Sequence, residues 1–369
     1  MSAAHPLMVP WAAAGQPPYL LDLTLWYRWH ADRGTLPTAW ADLSEAQIAL
    51  ELGATAWTVE RPWRVNDQGV TVTTEQDERR RSVRYETLCG VLTARWEIGP
   101  DGDWWQTEYP VKAATDLPAA RAMIAARQYV TPADDAAHEP DSAVARQTTA
   151  PASIIALELP MRPYSELLHS LLGWGEGLLL LTGEGRPLLL EILADLEAKL
   201  EHLTAELATR PGVALLAPDN LDGQYISPRI FREHLASSYR RTAEIAHRHD
   251  KALVVHGGGP LRRLLPLLAE AGVDMVEGVA PPPQSDATLA EARAAAGPDL
   301  ILWGGIPQDY LLPTYERAEF EAAVEEAAGQ ALGDGRAILG VADRVPVNAD
   351  LARLRAISPL IWRVWHRAG

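Results

Sequence analysis

The chain has 369 residues, 47% of them hydrophobic and 22% charged, which is enough apolar material for one large core. Its formal net charge of -16 disfavours nucleic acid and anionic membrane, both of which are bound through clustered Lys and Arg, and leaves a small molecule as the expected partner. The single cysteine, Cys89, excludes an internal disulfide and any thiolate cluster for zinc or iron and sulfur, and the lack of a long apolar run or basic leader predicts a cytoplasmic protein.

Eight short apolar runs, each ending in polar or Gly/Pro residues, read as strands. The first is Tyr19 to Trp26 and the second Ala54 to Val59, with the helix-like LSEAQIALELG between them. VTVTTEQ and SVRYETLCGVLTARWEI then alternate with period two and end in the turn signal GPDGD, which predicts a β-ribbon inserted at about residues 64–112, ahead of a helix from Asp116 to Arg127. Residues from about 131 to 150 are polar, contain Pro and lack periodicity, as an exposed connector would. The third, fourth and fifth runs are Ser153 to Leu159, Val213 to Ala217 and Ala252 to His256, with amphipathic stretches in the gaps. Met275 to Val279, Leu300 to Trp303 and Ala337 to Gly340 follow, and the chain closes on the helical LARLRAISPLIWRVWHRA. Buried parallel strands read as continuous apolar runs, as VALLA, ALVVH and LILW do. The pattern predicts one α/β domain over residues 1–369, a (β/α)8 TIM barrel with a β-ribbon insertion after the second strand; an open doubly wound sheet is the alternative.

In such a barrel the residues after each strand converge on one face, where the working site lies. The candidates are Arg28, Trp29 and His30 after the first strand, Glu60 and Arg61 after the second, and Asp219, Asn220, Asp222 and Tyr225 after the fourth. His256 and Gly257 end the fifth, Glu277 lies within the sixth, and Gly305, Gln308, Asp309, Asp343 and Arg344 belong to the last two. A helix cap or a loop hydrogen bond is the competing role for each Asp or Asn. His256 stands out because it ends ALVVH and opens the GGGP turn, where a ligand can approach the backbone closely, and because imidazole titrates near neutral pH and ligates metals. Asp219, Glu277 and Asp343 offer acid or base chemistry, or oxygen ligands for a hard cation. With 13 Trp against 2 Phe, the chain is also rich in stacking partners for a flat, partly polar ligand.

PDNLDGQYISPRIFREHLASSYRRTAEIAHRHDKALVVHGGG joins an acidic strand end, a Ser-Pro-x-x-Phe helix start and a strand ending in His and Gly. LLPLLAEAGVDMVEGVAPPP, LILWGGIPQDYL and ILGVADRVPVNADLARLRAI follow, and YETLCGVLTARW with EYPVKAATDLPAA lies upstream. In this order the motifs resemble the uroporphyrinogen decarboxylase (URO-D) superfamily, which includes corrinoid-dependent methyltransferases. The resemblance implies the same barrel, with His256, Asp219, Glu277 and Asp343 in catalysis and Arg28, Trp29, His30, Glu60, Asp222, Tyr225, Gly257, Gly305, Gln308 and Arg344 around the substrate. It departs from the decarboxylases in lacking their Arg-Gln-Ala-Gly-Arg-Tyr stretch. It departs from the methyltransferases at Gly258 and around Val341, where their zinc-binding cysteines stand, so that His256 is the one retained member of that zinc motif. No Cys-ligated zinc is expected, and a divalent metal on other ligands is the remaining candidate cofactor. The implied activity is that of an enzyme acting on a methylated or tetrapyrrole-related small molecule, with methyl transfer involving a corrinoid protein placed ahead of decarboxylation. In the decarboxylase version Arg28, Arg61 and Arg344 bind carboxylates. A non-catalytic tetrapyrrole- or corrinoid-binding protein is the rival from another class.

Overall fold

The computed structural model describes residues 5–8, 11, 15–99, 104–132, 153–181 and 183–368. Strands β1 (Leu20–Leu21) and β2 (Thr55–Glu60) open a parallel sheet. An insertion follows, in which β3 (Arg64–Asp67) pairs antiparallel with β8 (Arg127–Val130), and β4 (Thr71–Gln76), β5 (Arg80–Thr87), β6 (Gly90–Ile98) and β7 (Trp104–Glu108) form an antiparallel meander. The parallel sheet resumes with β9 (Ser153–Glu158), β10 (Ala214–Leu221), β11 (Ala252–Gly257), β12 (Met275–Val279), β13 (Ile301–Pro307) and β14 (Ala337–Ala342), each beside its predecessor. The seam between β14 and β1 is joined by a parallel bridge from Tyr19 to Leu339 and by the Leu339 N–H donating to Pro18 O at 2.9 Å. The eight-stranded sheet is thus a closed barrel with helices around it.

Both faces of the sheet are covered, which is why β13 and β14 are buried along their whole length and read as unbroken apolar runs. Inside, Leu20, Trp57, Ala156, Leu216, Val254, Met275, Trp303 and Ile338 fill the barrel, and Leu7, Met8 and Trp11 pack with them at the ends where the strands begin. A second core joins the sheet to the surrounding helices. A third is built from Leu92, Leu117, Met123, Leu171, Leu189 and Ile192, and fastens the inserted meander to the helices Leu117–Ala126 and Arg186–Ala208.

The first strand is shorter than its apolar run predicts. Thr24–Asp32 is a helix, because the Asp22 carboxylate accepts the Thr24 N–H at 2.8 Å and so starts a turn where the alternation suggested continued strand. The predicted connector lies outside the described residues from 133 onward, as does most of GPDGD. No helix among the described residues is long and apolar enough to cross a membrane.

Candidate functional site

The barrel register sets His256 of β11 directly beside Glu277 of β12. His256 Nδ1 hydrogen-bonds Glu277 Oε2, and Nε2 lies 3.5 Å from Asp343 Oδ1, just past the end of β14. Asp343 holds its carboxylate there from a left-handed backbone, φ +71°, a conformation that costs energy in a non-glycine residue. Arg344 Nε approaches the same Asp343 oxygen at 3.9 Å. The side chains of His256 and Asp343 remain 22% and 30% exposed, so the mouth reaches them, whereas Glu277 is buried.

Burial disfavours an imidazolium at His256, but the Glu277 carboxylate and then Asp343 outweigh it and lift the ring to about 9. Burial also raises the Glu277 carboxyl, against the pull of the imidazolium. The pair therefore carries a proton at neutral pH. Asp22, absent from the sequence candidates, adds negative charge to Glu277 and to Glu45, whose carboxyl is raised to about 7 by burial and by Asp22.

Asp219, expected in catalysis, lies behind the mouth. It is completely buried, with Oδ1 accepting the Arg162 N–H at 2.6 Å and Oδ2 accepting the Tyr239 hydroxyl. The fully buried Arg162 guanidinium bonds to Pro160 O and Thr242 Oγ1 and interacts with the Asp219 charge. Asp219 thus braces the interior behind the mouth. Its neighbour Asn220, exposed and at φ +46°, lays its side chain over Gly258; a Cβ added at Gly258 would fall on Asn220 Oδ1.

Other candidates are not drawn to His256. His30 binds Thr35 Oγ1 at 2.7 Å and Val347 O at 3.0 Å, Trp29 lies under Arg33, and Arg28 is exposed on the same helix. Glu60 is exposed at the end of β2, and Arg61 pairs with Glu158 at 2.7 Å. Asp222 accepts the Gln224 N–H at 2.7 Å and shapes the loop that carries the exposed Tyr225. Gly257 is buried against Leu261, Gly305 faces Ala327 and Leu289 in the helical layer, and the Gln308 N–H donates to Gln284 Oε1 at 3.3 Å. A histidine missed in the sequence, His169, lies on the π-helical turn Leu167–Leu172, with a ring N–H directed at the carbonyls of Asp219 and Asn220.

No protein-family model matches the sequence, and no curated protein matches it. Among solved structures, a D-psicose 3-epimerase from Clostridium cellulolyticum H10 is similar over 58% of this chain and 78% of its own, with 12% identity and a TM-score of 0.34, too slight a likeness to bear on function. A methyltransferase from Methanosarcina mazei is similar over 98% of this chain and 99% of its own, with a TM-score of 0.56 and 15% identity. The chain therefore has, end to end, the fold of that methyltransferase, a (β/α)8 barrel, as the ordered motifs implied.

Proposed function

We propose that the chain is an enzyme that takes a methyl group from a heteroatom of a small molecule and delivers it to a corrinoid held by a partner protein. The placement of His256 between Glu277 and Asp343 at the barrel mouth, two carboxylates that favour its protonated form, is the observation that carries this proposal. When the methyl–heteroatom bond breaks, the electron pair stays on the heteroatom, and an acid placed there supplies the proton that makes it a good leaving group. His256 gives that proton from Nε2, the nitrogen facing the mouth and Asp343, while Glu277 holds the ring through Nδ1. The full-length likeness of fold to a methyltransferase supports the reaction class.

A zinc site of the cysteine type does not fit this mouth. Position 258 is glycine with Asn220 in the space its side chain would need, Val341 is buried between barrel and helices, and Cys89 is exposed in the inserted meander. Such zinc activates a thiol, so its misfit favours a corrinoid over a thiol as the methyl acceptor. One nitrogen and two carboxylate oxygens of His256, Glu277 and Asp343 lie within 4.8 Å of one another, donors that a divalent cation accepts. A cation there displaces the imidazole proton, so the acid mechanism and the metal mechanism exclude each other. Decarboxylation is less favoured, since Arg61 is paired with Glu158, Arg344 lies beside Asp343, and Arg28 is exposed on another element.

The test uses cob(I)alamin with a panel of methyl ethers, methylamines and methyl thioethers, with formation of methylcobalamin followed by its visible absorption. Turnover with one class, undiminished after chelator treatment and lowered about 10²-fold in His256→Ala, is expected. Chelator-sensitive turnover restored by Mn²⁺ would replace the acid by a metal. Release of CO₂ from uroporphyrinogen without any methyl transfer would overturn the proposal in favour of the decarboxylase, and ligand binding without either reaction would favour a binding protein.

A further inference from the structure

His169 is placed where two strand ends meet. It sits on the π-helical turn after β9, an irregularity that often accompanies functional sites, and its ring N–H points at the backbone carbonyls that end β10. It lies near enough to His256 for their charges to interact. With one nitrogen donating, the other nitrogen of a neutral ring is an acceptor. Neutrality is enforced, because burial above all drives the imidazole down to about 4, and the positive charge of His256 pushes in the same direction. The mouth thus holds two histidines of opposite habit, one that keeps its proton and one that stays ready to accept a hydrogen bond.

The surroundings of His169 are aromatic. Trp174 stands edge-on to it with centroids 4.5 Å apart, and Tyr225, on the loop after β10, leans on Trp174 at 4.5 Å with 44% of its surface exposed. His169 itself is only half-buried. Rings from the β9 and β10 loops therefore form a wall that solvent reaches, beside a half-buried imidazole.

We propose that His169, Trp174 and Tyr225 form a subsite for a flat ring bearing an O–H or N–H donor, with the ring against the aromatic wall and the donor on His169. This rests on the barrel mouth being the substrate site, as proposed above, but not on the reaction performed there. His169 is on this account a substrate-binding residue.

The smallest probes are phenol, which has the ring and the donor, and methoxybenzene, which has the ring alone. Titrated calorimetrically into the full chain at neutral pH, phenol is expected to bind about 3- to 10-fold more tightly, the worth of one neutral hydrogen bond. In His169→Phe the preference disappears while methoxybenzene binding persists. In His169→Gln, whose amide oxygen still accepts, part of the preference returns, and in Trp174→Leu both probes weaken. Equal binding of the two probes to the parent, absence of binding by either, or an undiminished preference in His169→Phe would overturn the subsite. A failure of methyl transfer leaves these binding results untouched, so the two proposals fail separately.

Discussion

Two buried carboxylates, Glu277 at the mouth and Asp219 behind it, should answer differently to loss of their contacts. His256→Ala removes a partly exposed ring from the mouth and, with it, the stability its raised pKa contributes, about 2–3 kcal/mol at neutral pH, but should cost about 10²-fold in turnover. Asp219→Ala leaves the Arg162 backbone N–H and the Tyr239 hydroxyl buried without an acceptor and removes the negative charge near the buried Arg162 guanidinium, and should cost about 3–5 kcal/mol in denaturant unfolding. Equal stability losses in the two variants would contradict this division. The proton on His256 makes a second prediction. Its pKa in the fold, about 9, lies above the ordinary 6.5, so the stability it contributes is full below about 6.5 and lost as pH rises towards 9. Urea midpoints should therefore fall across that window in the parent and less in His256→Ala. If the protonated ring is the catalytic acid, activity falls on an alkaline limb near 9, and Glu277→Gln moves that limb to lower pH. His256 was legible because it ends an apolar strand and opens a glycine turn. The burial of Asp219 was not legible, because an aspartate at a strand end reads alike whether its oxygens face a ligand or a partner such as the Arg162 N–H, 57 residues away.

At the scale of elements, what sequence shows well is what depends on near neighbours. The parallel strands β10, β11 and β13 announce themselves because both their faces are buried. β1 does not, since LLDLTLW satisfies strand and helix spacing alike until the Asp22 carboxylate turns the chain. His169 escaped notice for a similar reason: its π-helical turn LLHSLL is an apolar run whose one polar ring is aimed by the widened helix and by the end of β10. The pairing of the β10 and β11 loops gives the third prediction. Gly258→Ala places a methyl on Asn220 Oδ1 and should displace that loop, lowering turnover, and Asn220→Gly in the same chain should recover most of the loss. Additive effects in the double variant would show that the two positions do not compete for one space.

For the molecule as a whole, the two ends of the barrel differ, with the His256–Glu277–Asp343 cluster at the carboxyl ends of the strands and the packing of Leu7, Met8 and Trp11 at the other. Trp11 is 4% exposed among the residues that fill the barrel, so Trp11→Ala should cost about 3–5 kcal/mol in thermal or denaturant unfolding while leaving the pH profile of activity in place. A shift of the alkaline limb in that variant would show that the two ends are coupled.

The seam from Tyr19 to Leu339 also sets a timetable for a chain made from its amino terminus. Leu7, Met8, Trp11 and β1 emerge from the ribosome well before β14, the strand that completes the barrel beside β1. At a synthesis rate of about 5–20 residues per second, that interval is on the order of tens of seconds. For that time the first apolar side chains have no native place to go, and their protection in the cell falls to chaperones or to provisional contacts with the half-built barrel.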